Sequence, residues 1–272
     1  MVLIQLPRQS DAQVMSGCNT KVLAAVVLML LAGACSVKEN RDPCPCALML
    51  DFSRVDSLCA RKIDVLVSSV EGFMLADTVD VVFNGGIYRA DVPRTDLHVR
   101  AWAGAGEAAA GESILIPLGQ DCPRVYMSVA DIETEGEVYT HKVRMCKNHC
   151  VMTLVTEGEG EFRHDLYLEG SVCGYGRDGI PEQGQFKYLL KDEDLQDGYQ
   201  AVLPRQTDGS LMLKIDDGDG RYFALGQYII SSGYDWTAED LEDITVTIDY
   251  ASTMLRLVID GWESEYTYEF EI

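Results

Sequence analysis

From Ala47 onward, apolar residues recur at every second position rather than every third or fourth. Leu48, Leu50 and Phe52 alternate with Met49, Asp51 and Ser53, and Ile63, Val65 and Val67 alternate with Lys62, Asp64 and Leu66. An extended strand sends successive side chains to opposite faces, so this period predicts strands with one face on a core. Further strands are expected over 79–83, 88–92, 97–102, 125–129, 138–143 and 151–155, punctuated by Asn84-Gly85-Gly86 and Pro93. After the acidic, glycine-rich Glu157-Gly158-Glu159-Gly160-Glu161, the pattern resumes at 162–168, 186–190, 199–203, 211–215, 244–250, 255–259 and 266–272. Asp208-Gly209 and Asp216-Asp217-Gly218 mark tight turns, and only 225–232 and 237–241 are candidates for short helices. Many short strands separated by turn residues describe an all-β protein built of sandwiches. The acidic glycine segment divides it into an N-terminal sandwich, 44–158, and a C-terminal one, 159–272, each of ordinary domain size.

The start of the chain breaks this pattern. Val22 to Ala34 is continuously apolar, follows Lys21, and closes on Leu31-Ala32-Gly33-Ala34-Cys35. As a helix it would span roughly 20 Å, against roughly 30 Å of bilayer hydrocarbon, so it reads as a secretory signal over 1–34 rather than a membrane span. Small residues directly before a cysteine resemble the bacterial lipoprotein signal. That resemblance implies cleavage between Ala34 and Cys35 and acylation of the Cys35 thiol. Ala32 stands where that signal more often has Leu or Val, and an ordinary secretory signal is the alternative. Met15 to Lys21 makes a normal short basic leader, so Met15 competes with Met1 as the start. Residues 35–43, which include Asn40, Asp42 and Pro43, suit a tether between lipid and fold.

The composition is 47% hydrophobic, enough to build a core, and the formal charge is −22. Such a charge excludes nucleic acid, whose phosphates demand Lys and Arg, and excludes docking on anionic headgroups through a basic face. Attachment to a membrane therefore falls to the lipid. One acyl chain binds marginally, at about 0.8 kcal/mol per buried methylene, and stable anchoring takes two or more. Of nine Cys, Cys18 leaves with the signal and Cys35 carries the lipid. Export into an oxidising compartment favours disulfides among Cys44, Cys46, Cys59, Cys122, Cys146, Cys150 and Cys173. Their number is odd, so at least one stays free, and spacing does not give the connectivity.

Several constellations look chemical and fail on inspection. Gly174, Gly176 and Gly179 satisfy G-x-G-x-x-G, but Ile180-Pro181 follows where a dinucleotide site needs a helix. Asp216, Asp217 and Asp219 lack the spacing of a calcium loop, since Arg221 and Tyr228 fall at two ligand positions counted from Asp217; a hairpin turn is expected. His141, Cys146, His149 and Cys150 could invite zinc, but on one strand His149 would point away from Cys146 and Cys150. There is no G-x-S-x-G, and His98, His141, His149 and His164 sit in no catalytic setting. No cofactor, metal or enzymatic activity is expected.

Glu39-Asn40-Arg41-Asp42-Pro43-Cys44-Pro45-Cys46, followed by Leu50-Asp51-Phe52-Ser53, resembles the mature start of fimbrial anchoring subunits of Bacteroides-type bacteria. So do Asp121-Cys122-Pro123, Lys147-Asn148-His149-Cys150, Cys173-Gly174-Tyr175, Pro204-Arg205-Gln206 and Ser232-Gly233-Tyr234-Asp235-Trp236, in order along the mature chain. The resemblance implies two tandem sandwiches of transthyretin-like Greek-key topology, an outer-membrane lipid anchor facing the cell surface, and a fimbrial stalk subunit as partner. Cys146 stands outside the family-like segments and is the candidate free thiol, leaving Cys44, Cys46, Cys59, Cys122, Cys150 and Cys173 to pair. Such subunits assemble by strand exchange, and residues 47–53 could fill the chain's own groove and so cap growth. The competing reading is an adhesin or glycan-binding lipoprotein with Trp102, Trp236 and Trp262 as a sugar platform. Asp56-Ser57-Leu58 and Asp77-Thr78-Val79 resemble the short O-glycosylation acceptor of the same bacteria.

Overall fold

The computed structural model describes residues 44–55, 61–157, 164–191, 198–218, 220–249, 254–259 and 262–269. The expectations placed on Ala34, Cys35, Ser57 and Cys59 lie outside them. The first half contains β1 (Cys46–Asp51), β2 (Lys62–Ser68), β3 (Met74–Asp80), β4 (Ile87–Val92) and β5 (Asp96–Ala103). The short β6 (Ala109–Ala110) and β7 (Ser113–Leu115) precede β8 (Tyr126–Glu133), β9 (Val138–Lys142) and β10 (Cys146–Lys147). Then come β11 (His149–Glu157), β12 (Asp165–Tyr175), β13 (Pro181–Leu189), β14 (Tyr199–Pro204), β15 (Met212–Asp216) and β16 (Arg221–Phe223). A helix, α1 (Leu225–Ser231), is followed by β17 (Ile244–Asp249), β18 (Met254–Ile259) and β19 (Trp262–Glu269).

Two local expectations change. The strand expected over 79–83 ends at Asp80, and Phe83–Gly86 forms a 3-10 turn. The stretch 237–241 is not helical, because the Asp235 carboxylate accepts both the Thr237 N–H, at 2.8 Å, and its hydroxyl, at 2.6 Å. That Asx turn offers the backbone an alternative to a helix.

The strands form four sheets, ordered β4-β1-β9, β10-β8-β5-β2-β3, β14-β11-β17-β18-β19 and β16-β15-β12-β7-β6, with β13 also paired to β12. The same wiring occurs twice. In the first sandwich β1 lies between antiparallel β4 and parallel β9. In the second β11 lies between antiparallel β14 and parallel β17. Facing them, β2 joins β3 and β5 as β12 joins β13 and β15. The fold is all-β, two tandem sandwiches with transthyretin-like Greek-key connections.

The chain crosses between them at Asn148. Alternation alone groups 151–155 with the first sandwich, yet among the described residues β11 pairs with β14 and β17 of the second sandwich, so the acidic segment begins at the end of that sandwich's first strand. In the other direction, β7 from the first half of the sequence extends the second sandwich by pairing with the end of β12.

Each sandwich encloses its own core. Leu48, Leu50, Phe52, Ile63, Val65, Val67, Leu97, Val99 and Ile132 fill the first. Met152, Leu154, Leu166, Leu168, Phe186, Leu213, Ile215, Val246 and α1's Leu225 and Ile229 fill the second. A third cluster, with Leu66, Trp102, Ile114, Met127 and Tyr175, joins the two. The sheet holding β2 and β5 is therefore covered on both faces, which is why Leu97 to Ala103 reads as a nearly unbroken buried run rather than an alternating one.

Candidate strand-exchange site

The first described strand, β1, lies at the centre of its sheet. Leu48 and Leu50 are fully buried and Phe52 nearly so, on the inward side. Each such side chain contributes roughly 1.5–3 kcal/mol by leaving water. Both edges of β1 are bonded: to β4 from Cys46↔Val92 to Asp51↔Ile87, and to β9 from Ala47↔Val138 to Asp51↔Lys142. The Ala47 N–H donates to Glu137 O at 2.8 Å, and at the far end the Val143 N–H donates to Asp51 O at 3.0 Å. Taking β1 away would leave two unpaired strand edges and an apolar slot between them, the kind of template another strand can enter.

The junction between sandwiches accounts for the glycine motif. Gly174 has φ +153°, and a Cβ there would stand 1.9 Å from Ile114 O, so only glycine lets β12 approach β7. Gly179, at φ +74°, packs so that a Cβ would meet Val129 Cγ2 at 2.8 Å and Met127 Sδ at 3.0 Å. The motif is thus a hairpin tip pressed against the first sandwich, where Arg177 donates to Ser68 Oγ at 2.6 Å and the Arg177 carbonyl lies 3.3 Å from His98 Nε2. Beneath it Arg100 is buried over the Trp102 ring, 4.9 Å from its centroid, and donates to the Glu112 carbonyl. Behind it the fully buried Tyr175 hydroxyl donates to Asn148 O and accepts the Arg205 N–H at 3.0 Å. The Arg205 guanidinium spreads over Asn148 Oδ1, Trp236 O, Ala238 O and Glu239 O at 2.5–3.1 Å, locking the crossing point.

Among the described residues, Cys44, Cys46, Cys122, Cys146, Cys150 and Cys173 carry no disulfide in this structure. Cys46 sits in the first core, and Cys122 and Cys150 in the second. Buried thiols of this kind pack as small hydrophobes. Burial pushes the Cys150 thiol up to about 12 and raises Cys122 well above its ordinary value. Nor do Cys146 and Cys150 share a strand: the chain breaks at Asn148, leaving Cys146 on β10 beside β8 and Cys150 on β11. His149 is buried with Nδ1 3.0 Å from Val125 O and its ring edge-on to Tyr126, and burial lowers its pKa.

Trp102 lies in the junction and Trp236 in the second core, so neither offers a sugar-stacking face; Trp262 begins β19. The Asp217 carboxylate accepts the Gly220 N–H and pairs with Arg221 at 2.6 Å in the β15–β16 hairpin. Thr78 is exposed on edge strand β3, where its hydroxyl donates to Asp64 at 2.7 Å. Beside it, an open groove of about 620 Å³ runs between β3 and β4, lined by Met49, Asp77, Val79, Ile87, Tyr88 and Arg89 among others. The Tyr88 hydroxyl donates to Asp77 at 3.0 Å, and burial with that carboxylate pushes it up to about 12.

No model of a known protein family matches the sequence, and no curated protein matches it. Solved structures do. A candidate polysaccharide-binding protein from Bacteroides thetaiotaomicron superposes with TM-score 0.58 at 14% identity, covering 83% of this chain and 98% of that one. The fimbrial anchor protein Mfa2 from Porphyromonas gingivalis gives 0.56 at 11% identity, covering 82% and 100%. A candidate adhesin from Bacteroides ovatus gives 0.55 at 13% identity, covering 83% and 95%. The architecture is that of fimbrial subunits and adhesins. In this chain the first described strand, β1, lies buried in its own sheet.

Proposed function

We propose that this protein is a lipid-anchored fimbrial subunit of the outer membrane that tethers the base of a fimbria and limits its elongation. The observation that carries the reading is β1. It begins eleven residues after Cys35 and is bonded on both edges, so the slot that a stalk subunit's strand would enter is filled in cis. A subunit filled in this way can join a fibre through another surface yet not accept the next strand. Acyl chains on Cys35 would hold the assembly to the membrane. The likeness to a fimbrial anchor protein supports this reading, and no step of it needs an active site. Two of the structural likenesses carry adhesin or polysaccharide-binding names, which keeps a surface binding module as the second reading.

The test is a deletion strain complemented with the parent or with Cys35→Ala, examined by electron microscopy and fractionation. Loss of the protein should give longer fibres, more of them shed into the medium, and Cys35→Ala should not restore retention. Unchanged fibre length with full retention would put the binding module ahead.

A further inference from the structure

The two sandwiches share their wiring but differ at one edge. In the second, β17 is flanked by β11 on one side and by antiparallel β18 on the other. Its counterpart β9 has β1 on one side and, among the described residues, no strand on the other. The ladder to β1 fixes which backbone groups are left over. Glu137 O and Val143 N point at β1, and alternation assigns Tyr139 and His141 to the same side. The N–H and C=O groups of Val138, Thr140 and Lys142 therefore face outward. The side chains of all three are exposed, Val138 by 59%, which is unusual for an apolar residue on an edge strand.

We propose that this edge pairs with the same edge of a second copy of the protein, as an antiparallel β9–β9 contact centred on Thr140. That register is self-complementary. It sets Thr140 opposite Thr140, and Val138 opposite Lys142 at either side, so each outward residue meets one that also points outward. Every such pair exchanges two hydrogen bonds. Facing threonines are a favourable cross-strand pair, and the aliphatic stem of Lys142 covers the exposed Val138 with no like charges opposed. Slipping the register to centre on Lys142 would oppose two ammonium groups and lose pairing at the far end. The contact joins the two sheets as β4-β1-β9-β9-β1-β4, a two-fold arrangement of the kind most homodimers use.

The formal charge of −22 on each chain opposes association. Screening limits that term: the Debye length is about 8 Å at physiological salt, and the three contact residues themselves carry a net positive charge. A single strand pair buries less than the roughly 1,200 Å² of a stable interface, so the dimer is weak in solution and strengthened where tethering concentrates it. The inference stands apart from the fimbrial reading, which could fail while this held.

Sedimentation equilibrium of the full chain, in density-matched detergent where it is acylated, tests it. A reversible monomer–dimer equilibrium is expected, with a dissociation constant on the order of 10–100 μM. Thr140→Lys and Thr140→Glu place like charges face to face at the two-fold, and each should weaken association at least about tenfold. Circular dichroism should show the fold unchanged, since the site is exposed. An equimolar mixture of the two variants should regain the dimer. A protein that stays monomeric up to about 1 mM would overturn the proposal and leave the edge to a strand from a different subunit. A dimer indifferent to both variants, or variants not rescued by mixing, would overturn it equally.

Discussion

Asp121 shows how burial sets the chemistry of single residues here. Its carboxylate accepts the Val202 N–H at 2.8 Å and the Cys122 N–H at 3.1 Å, which favour the charged form. Burial opposes them and prevails, raising the group to about 6. The folded pKa then lies above the unfolded value of about 3.9, so the native state holds the proton more tightly. The group's contribution to stability is complete below about pH 4, declines as pH rises to about 6, and is constant above that. Asp121→Asn keeps an acceptor oxygen and removes the titration. Its denaturant-unfolding stability should vary less between pH 4 and 6 than the parent's; an identical slope would mean another group is responsible. Thr78 carries a different expectation, that of an O-glycan on the exposed hydroxyl of β3. Peptides from the native protein should show added mass at Thr78, and a bare peptide would end the idea. The sequence displayed Asp121 and Thr78 only as members of short motifs, because burial and edge position are properties of the fold.

Elements were the scale at which the sequence spoke most clearly. Period-two alternation located β1, β2, β4, β5 and most strands of the second sandwich, since a strand with one face on a core must alternate. Partnership was less legible. Pattern alone put 151–155 with the first sandwich and gave no sign that β7 would cross to β12, because alternation records a buried face and not the neighbour that buries it. Nor did it show that His98, Arg100 and Trp102 line the second face of β5. Gly174 and Gly179 were visible as a motif, but their reason is the approach of one sandwich to the other. Gly174→Ala should therefore destabilise by about 3 kcal/mol or more, combining a strained φ with a Cβ thrust at the Ile114 carbonyl. Gly72, whose φ is also positive but whose Cβ would meet open space, should cost less when changed to Ala. Thermal unfolding of the two variants side by side checks this, and equal losses would mean that the junction tolerates the intrusion.

For the whole molecule, the question is whether β1 is a fixed part of the sandwich or an occupant of a slot. Its side chains at Cys46, Leu48 and Leu50 are fully buried in the first core. Covalent attachment in the same chain gives it an effective concentration that a free strand does not match. If that connection is what keeps other strands out, cutting it should open the slot to exchange without unfolding the rest. A protease site placed at residues 56–60 would allow β1 to be nicked from β2 while leaving its pairing to β4 and β9 in place. A labelled peptide of residues 46–53 should then enter the nicked protein over time and be excluded from the intact one. The same peptide carrying Leu48→Asp should enter neither, since it would bury a carboxylate with no partner in the first core. Retention of the label after gel filtration measures this directly. Equal entry into intact and nicked protein would show that the slot is not closed in cis, and the capping role would fall even if Cys35 still tethered the fibre.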